Sequence, residues 1–105
     1  MYRGTTPTIT FTLPDKVDLT DIHEIWVTFK NYYQTFTVKY TEGRVAIDAE
    51  NNKISVELTQ EETLTLSAGD IYMQLRICTM DHKAFVADPK RVFKLHDILE
   101  DGVID

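Results

Sequence analysis

Cys78 is the first residue whose chemistry stands out, because it is the one cysteine among 105 residues. A thiol nucleophile needs a neighbouring base and a group that orients the base. The histidines fall in predicted loops or at strand ends: His23 and His96 are distant from Cys78 in sequence, and His82, four residues after it, falls in the predicted turn at 80–83. We therefore predict no catalytic residue and a non-enzymatic protein. A lone cysteine forms no internal disulfide, which fits a reducing compartment.

Carboxylates are the second candidate chemistry. Asp15, Asp18 and Asp21 recur at every third position in one segment, and loop carboxylates can ligate calcium. No glycine lies among them and their spacing is not that of a calcium loop, so a solvated loop is the favoured interpretation. Adjacent Glu61 and Glu62 suggest an acid–base pair, but Glu62 is expected to cap a helix. With one cysteine, dispersed histidines and isolated glycines, we predict no metal site and no cofactor.

Aromatic side chains offer binding rather than catalysis. Trp26 and Tyr72 occupy the polar phase of their strands, and Tyr32 and Tyr33 lie at a turn. Aromatics on a solvent-facing surface are enriched at protein interfaces. They also suit a carbohydrate- or ligand-binding module, which would need coplanar rings in a groove, whereas an adaptor needs them on a flat face or under a partner strand. A third interpretation packs Trp26 beneath the C-terminal tail.

Strict alternation of apolar and polar residues predicts the elements that position these side chains. Successive side chains of a strand point to opposite faces, so each alternating run is a strand with one buried side. We predict strands at 8–13, 24–30, 34–40, 45–48, 53–58 and 71–79, and one from 84 that Asp88-Pro89 interrupts before it resumes at 90–95. The residues expected in the core are Ile25, Val27, Phe29, Val56, Leu58, Met73, Leu75 and Ile77.

One short helical turn breaks the alternation. Thr59 followed by Glu62 is a capping-box pattern, in which each side chain bonds the other residue's backbone amide. Leu64 and Leu66 are expected to face inward. Turns are predicted at 31–33, 41–44, 49–52 and 80–83, with His82 at a position that favours positive φ.

These elements predict an all-β, immunoglobulin-like antiparallel two-sheet sandwich of about seven strands with one short helical turn. We expect a single domain over 1–105, with an N-terminal arm at 1–6 and an acidic C-terminal tail at 96–105. Tyr72 lies near the position of the tyrosine corner of that fold, but in the opposite phase to its strand's core residues. The cysteine and tryptophan signature of true immunoglobulin domains is missing.

Charge and hydropathy exclude some partners. The formal net charge of −6 argues against binding to a phosphate backbone, which needs a basic face. No apolar run is long enough to span a bilayer, and no N-terminal signal-type apolar segment is present. We therefore predict no nucleic-acid partner and no membrane insertion.

Five segments carry a resemblance to a protein family: 3–14, 25–29, 54–64, 73–79 and 97–104. Together they resemble small structural proteins of bacteriophages and prophages of Gram-positive bacteria, over most of the chain. The resemblance implies a virion component assembled in the bacterial cytoplasm, whose partners are other virion structural proteins.

A narrower resemblance starts at Asp18-Leu19-Thr20 and continues through the helical turn to the strand around Tyr72. This order is similar to the N-terminal immunoglobulin-like domain of phage baseplate upper proteins, a domain that docks a receptor-binding apparatus onto the tail. This chain has one domain and His82 where that family commonly has glycine. The resemblance implies a structural or adaptor role in the tail or baseplate.

Two segments are candidates for self-association. The first strand, 8–13, carries no charge, although soluble proteins usually protect their edge strands. The acidic tail offers the apolar residues Ile98, Leu99, Val103 and Ile104. We therefore predict self-association into a homo-oligomer, or docking to another virion protein, through the edge of the first strand, the tail and the face that carries Trp26.

Overall fold

The computed structural model of the chain describes residues 1–13, 18–87 and 93–104. Its first half contains β1 (Thr8–Thr12), β2 (Ile22–Lys30), β3 (Thr35–Lys39), a 3₁₀ turn (Tyr40–Glu42) and β4 (Val45–Asp48). Its second half contains β5 (Lys53–Glu57), α1 (Gln60–Thr65), β6 (Gly69–Thr79), β7 (Ala84–Ala87) and β8 (Phe93–Leu95). Within the described residues, no helix is long and apolar enough to cross a membrane.

The strands form two antiparallel sheets. The smaller sheet has the order β1-β5-β4, and the larger has the order β3-β2-β6-β7, with β8 also pairing with β6. If β1 is labelled B, after the second strand of the immunoglobulin fold, and the following strands are labelled in chain order, the smaller sheet has the order B-E-D and the larger sheet the order C′-C-F-G. These are the orders found in an immunoglobulin sandwich. The helix α1 lies between β5 and β6, where the chain crosses between the sheets. The predicted immunoglobulin-like sandwich is therefore confirmed.

The core lies between the sheets and follows the alternating pattern. All eight residues predicted in the core are buried, and Ile54, Leu66 and Leu95 join them. Phe29 stacks on Phe36 with ring centroids 5.2 Å apart. A shift of one residue in any strand would turn its apolar side chains to solvent, so this burial fixes the register of the sheets.

The capping box at the start of α1 is confirmed. The Thr59 hydroxyl accepts a hydrogen bond from the Glu62 amide at 3.1 Å, and the Glu62 carboxylate accepts one from the Thr59 amide at 2.9 Å. Leu66 is buried as predicted, but Leu64 is only half-buried. The buried residue of the helix is Thr63, whose hydroxyl donates to the Thr5 carbonyl at 2.9 Å. The expectation for Leu64 is therefore wrong, because the helix turns a threonine toward the N-terminal arm.

The hairpin turns adopt the backbone that their residues favour. Asn52 has φ of 55° and His82 has φ of 64°, both in the left-handed region. Tyr72 is exposed, so it does not form a tyrosine corner. Within the described residues, the last predicted strand is represented by two strands, β7 and β8, and the described strands number eight. The predicted interruption at Asp88-Pro89 lies outside the described residues.

The N-terminal arm lies against the end of β8. Tyr2 forms a parallel bridge with His96, and the Arg3 amide donates to the His96 carbonyl at 2.9 Å. Gly4 follows with φ of +75°, and a Cβ there would come within 3.1 Å of the Ile98 side chain. The positive φ therefore favours glycine at this position, and a side chain there would also require the Ile98 side chain to shift.

Candidate protein-contact surfaces

Three exposed tyrosines surround a groove at one end of the sandwich, which we call the tyrosine groove. Tyr32, Tyr33 and Tyr72 have relative exposures of 88%, 77% and 56%. The groove has a volume of about 750 Å³ and is also lined by Lys30, Asn31 and residues 67–70. Tyr72 lies beside Lys30 in the β2–β6 register, directly before the turn that carries the other two tyrosines. The predicted interface residues of the turn and of β6 therefore come together in one place.

Buried Asn31 holds the tyrosine turn in place. Its side-chain oxygen accepts hydrogen bonds from the amides of Tyr33 at 3.0 Å and Gln34 at 2.7 Å. Its side-chain amide donates to the Ser67 carbonyl at 3.1 Å. The Gln34 side-chain oxygen in turn accepts from the amide and hydroxyl of Ser67. These bonds tie the β2–β3 turn to the α1–β6 connection, so the two tyrosines of the turn are presented on a braced loop.

Trp26 lies elsewhere, on the outer face of the larger sheet, which we call the tryptophan face. One row of residues across this sheet contains Lys39, Trp26, Arg76 and Val86, from β3 to β7. The Lys39 ammonium lies 4.9 Å from the Trp26 ring centroid and the Arg76 guanidinium carbon lies 5.5 Å from it. Trp26 is 37% exposed, so these two cations cover much of its ring. The tail does not cover Trp26, since the described tail contacts lie at the arm and α1.

Glu24 borders the same face and already has structural partners. Burial raises the pKa of Glu24, but hydrogen bonds from the hydroxyl and amide of Thr41 and from the Ile25 amide outweigh burial and leave the pKa below its ordinary value. A cavity of about 250 Å³ lies between Glu24, Trp26, Cys78 and the β7 residues. The carboxylate fixes the 3₁₀ turn after β3 and is a poor candidate for a general base, because both of its oxygens accept bonds from the protein.

Cys78 is half-buried near the end of β6. Its thiol donates to the Thr79 carbonyl at 3.6 Å. β2 has an irregularity at His23, between the pairs Ile22–Thr79 and Glu24–Cys78, so His23 lies near Cys78 although it is distant in sequence. Within the described part of the chain, no hydrogen bond joins this thiol to a histidine. The geometry therefore shows no activated nucleophile here.

The three aspartates do not form a cluster of ligands in the described residues. The Asp18 carboxylate accepts from the hydroxyl and amide of Thr20, which lowers the pKa of Asp18. Asp15 lies outside the described residues. Over 1–13, 18–87 and 93–104, no group of three or more candidate ligands could hold a metal ion.

The C-terminal tail lies on its own domain. Arg3 links them: its guanidinium donates to Asp97 at 2.7 Å and Asp101 at 3.0 Å, and to the carbonyls of Leu66 and Leu64 at 2.8 Å each. The Arg3 hydrogen bond lowers the pKa of Asp97. Farther along, the Gln60 side chain donates to the Ile104 carbonyl and accepts from its amide. Of the predicted tail residues, Ile98 is half-buried, whereas Leu99, Val103 and Ile104 are exposed.

Sequence reasoning missed the residues that organise these surfaces. Asn31 was assigned only to a turn, and Arg3 only to the arm. The signal for Asn31 was available, because an asparagine at the start of a turn commonly accepts hydrogen bonds from the amides two and three residues later. The partners of Arg3 are more than 60 residues away in sequence, and no local pattern indicates them.

No protein-family model and no curated protein sequence matches this chain.

Proposed function

We propose that this chain is a non-enzymatic structural or adaptor protein of a phage or prophage particle, in its tail or baseplate, assembled in the bacterial cytoplasm. The role in a particle rests on the resemblance of the five sequence segments. The mode of action, through contacts with other virion proteins, rests on one structural observation: the braced tyrosine groove. Exposed tyrosines that are held in place contribute contact area with little loss of conformational freedom on binding.

The arrangement of the aromatic rings favours a protein partner over a sugar. Tyr32 and Tyr33 meet edge to face, with an interplanar angle of 75° and centroids 4.7 Å apart. The Trp26 ring is engaged by Lys39 and Arg76, and Trp26 lies four residue pairs away from Tyr72 along the β2–β6 register. The described aromatics therefore do not form the coplanar platform that a carbohydrate-binding module needs.

The test uses the phage or prophage genome that encodes the chain. We expect the protein in purified particles by mass spectrometry, and we expect Tyr72→Ala to reduce the number of complete particles seen by electron microscopy. The matched control is Tyr2→Ala, because Tyr2 has an exposure of 57%, close to that of Tyr72, but lies outside the groove.

Two results would count against the proposal. Absence of the protein from purified particles, with normal assembly after its gene is disrupted, would remove the virion role. Equal effects of Tyr72→Ala and Tyr2→Ala would remove the tyrosine groove as the contact surface. Glycan-array binding by the wild type that is lost in Trp26→Ala would instead favour the carbohydrate-binding module.

A further inference from the structure

The strand β1 has one free side. Within the described residues it pairs only with β5, and it has no charged residue between Thr8 and Thr12. Its threonines are exposed on the outer face, and Ile9 and Phe11 are only partly buried against the core. An uncharged edge strand of this kind is a template for pairing with another strand.

The hydrogen bonds to β5 show which backbone groups of β1 are free. The Leu13 amide donates to the Asn52 carbonyl at 3.0 Å, and the Leu58 amide donates to the Pro7 carbonyl at 2.9 Å. Hydrogen-bonded and non-hydrogen-bonded pairs alternate in antiparallel strands, so residues 9 and 11 also bond to β5. The amides and carbonyls of Thr8, Thr10 and Thr12 therefore point away from the sheet, which makes six groups on the free edge.

The other described edges are less suited to pairing. β3 ends in Lys39 and β4 in Asp48, and each charge guards its edge. β7 is uncharged but four residues long, and the same alternation leaves only two of its residues directed outward. β1, by contrast, is uncharged and has three residues whose backbone amides and carbonyls point away from the sheet, so it is the edge best suited to pairing.

We propose that β1 pairs with β1 of a second copy of this chain, antiparallel about a two-fold axis at Thr10. In that register Thr10 faces Thr10 of the partner, and Thr8 faces Thr12. All three are outward residues, so every free amide meets a free carbonyl and six hydrogen bonds form. The two smaller sheets become one continuous six-stranded sheet, and the contact is isologous, as a closed dimer requires.

Side chains on both faces favour the same register. On the inner face Ile9 of one copy lies opposite Phe11 of the other, which covers two partly exposed apolar side chains. On the outer face Glu57 and Lys53 flank Thr8 and Thr12 in the β1–β5 register. Antiparallel pairing therefore places Glu57 of one copy on the same row as Lys53 of the other, about 14 Å apart across three strand spacings. Parallel pairing would instead align like charges.

This dimer is weak in dilute solution, because one strand on each side buries less than the roughly 1,200–2,000 Å² of stable interfaces. It forms where copies are concentrated. The inference concerns the isolated protein and does not depend on the proposed role in a phage particle, so either can fail without the other.

Cross-linking tests the register. Thr10→Cys and Thr12→Cys are made with Cys78→Ser in both, so that each protein has one thiol. In the proposed dimer the two Thr10 Cα atoms lie about 5.5 Å apart, whereas the two Thr12 residues lie about 14 Å apart. A short thiol cross-linker should join Thr10→Cys into a dimer and leave Thr12→Cys monomeric. Equal cross-linking of the two, or none, would overturn the proposal.

Proline substitution tests the edge itself by sedimentation equilibrium. Thr10→Pro removes an outward amide and leaves the bonds to β5 intact, a position at which an edge strand tolerates proline. We expect association to weaken about 10- to 100-fold, because two symmetry-related hydrogen bonds are lost. Circular dichroism and thermal unfolding verify that the variant folds.

The matched control is Thr37→Pro on β3. Thr37 is also an exposed, outward threonine in the middle of an edge strand, and its hydroxyl bonds Thr28 at 3.0 Å as Thr10 bonds Ser55 at 2.9 Å. The Thr37→Pro variant should leave association unchanged. Two results would contradict the proposal. One is a wild-type protein that stays monomeric at about 1 mM, a concentration at which weak complexes form. The other is an equal loss of association in both proline variants.

Discussion

Replacement of Asn31 by alanine should destabilise the domain far more than its position at a turn suggests. Asn31 is 4% exposed, and its side chain makes three hydrogen bonds, to the amides of Tyr33 and Gln34 and the carbonyl of Ser67. A buried hydrogen bond contributes about 1 kcal/mol net, and a polar group left without its partner costs more. Since solvent can reach part of this turn, we expect a loss of about 2–3 kcal/mol in the free energy of unfolding.

The assay is urea denaturation, with Asn51→Ala as the control. Asn51 is an exposed turn asparagine whose described bonds go to Asp48 alone, so the same substitution there should change stability by no more than about 0.5 kcal/mol. The midpoint should fall for Asn31→Ala at an unchanged denaturant slope. Hydrogen exchange followed by NMR should show faster exchange at the amides of Tyr33 and Gln34. Equal midpoints for the two variants, with normal protection at those amides, would refute the brace.

Four other perturbations test the core, the helix cap, the charge of Glu62 and the aspartate loop. Leu75→Ala should lower the free energy of unfolding by about 2–5 kcal/mol, measured by denaturant unfolding. The control Leu99→Ala, at a fully exposed leucine, should leave it nearly unchanged. Similar denaturation midpoints for the two variants would contradict the assigned strand phase. Thr59→Ala should lose about 0.5–2 kcal/mol in the same assay, and an unchanged midpoint would argue against the capping box. Burial raises the pKa of Glu62, but hydrogen bonds from Arg44 and the Thr59 amide outweigh burial and hold the pKa below its ordinary value. The stability that the Glu62 carboxylate contributes is therefore present above the pKa of an unfolded glutamate and is lost as the pH falls through the lower folded pKa. A pH profile of Glu62→Gln that runs parallel to that of the wild type would contradict this. Calorimetric titration with calcium should show no heat of binding at micromolar levels, and a heat that is lost in Asp18→Ala would disprove the prediction.

The strands and their buried faces could be predicted because they follow a local rule. Alternation identifies each strand and its inner side, so Ile25 and Leu75 could be placed in the core before any pairing was known. The capping box at Thr59 was equally local, since it depends on residues three apart. The exposure of Tyr32 and Trp26 followed from a turn and from the polar phase of a strand.

What could not be predicted depends on contacts between distant segments. Leu64 was expected to face inward from its position in a short helix, but the arm folds over α1 and turns Thr63 inward through its bond to Thr5. Whether the exposed aromatics would gather also depended on the sheet register. That register places Tyr72 beside the turn of Tyr32 and leaves Trp26 four residue pairs away along β2 and β6.

The connection from α1 to β6 links the N-terminal arm to the tyrosine groove. The last carbonyls of a helix have no partners within it, and α1 ends at Thr65 with an extended C-cap, Leu66, instead of a glycine in the left-handed conformation. Arg3 takes the carbonyls of Leu64 and Leu66, and Asn31 takes that of Ser67. One side chain comes from the arm and the other from the tyrosine turn. The same four-residue segment therefore anchors the arm on one side and the tyrosine groove on the other, because each supplies hydrogen-bond donors that the short helix lacks.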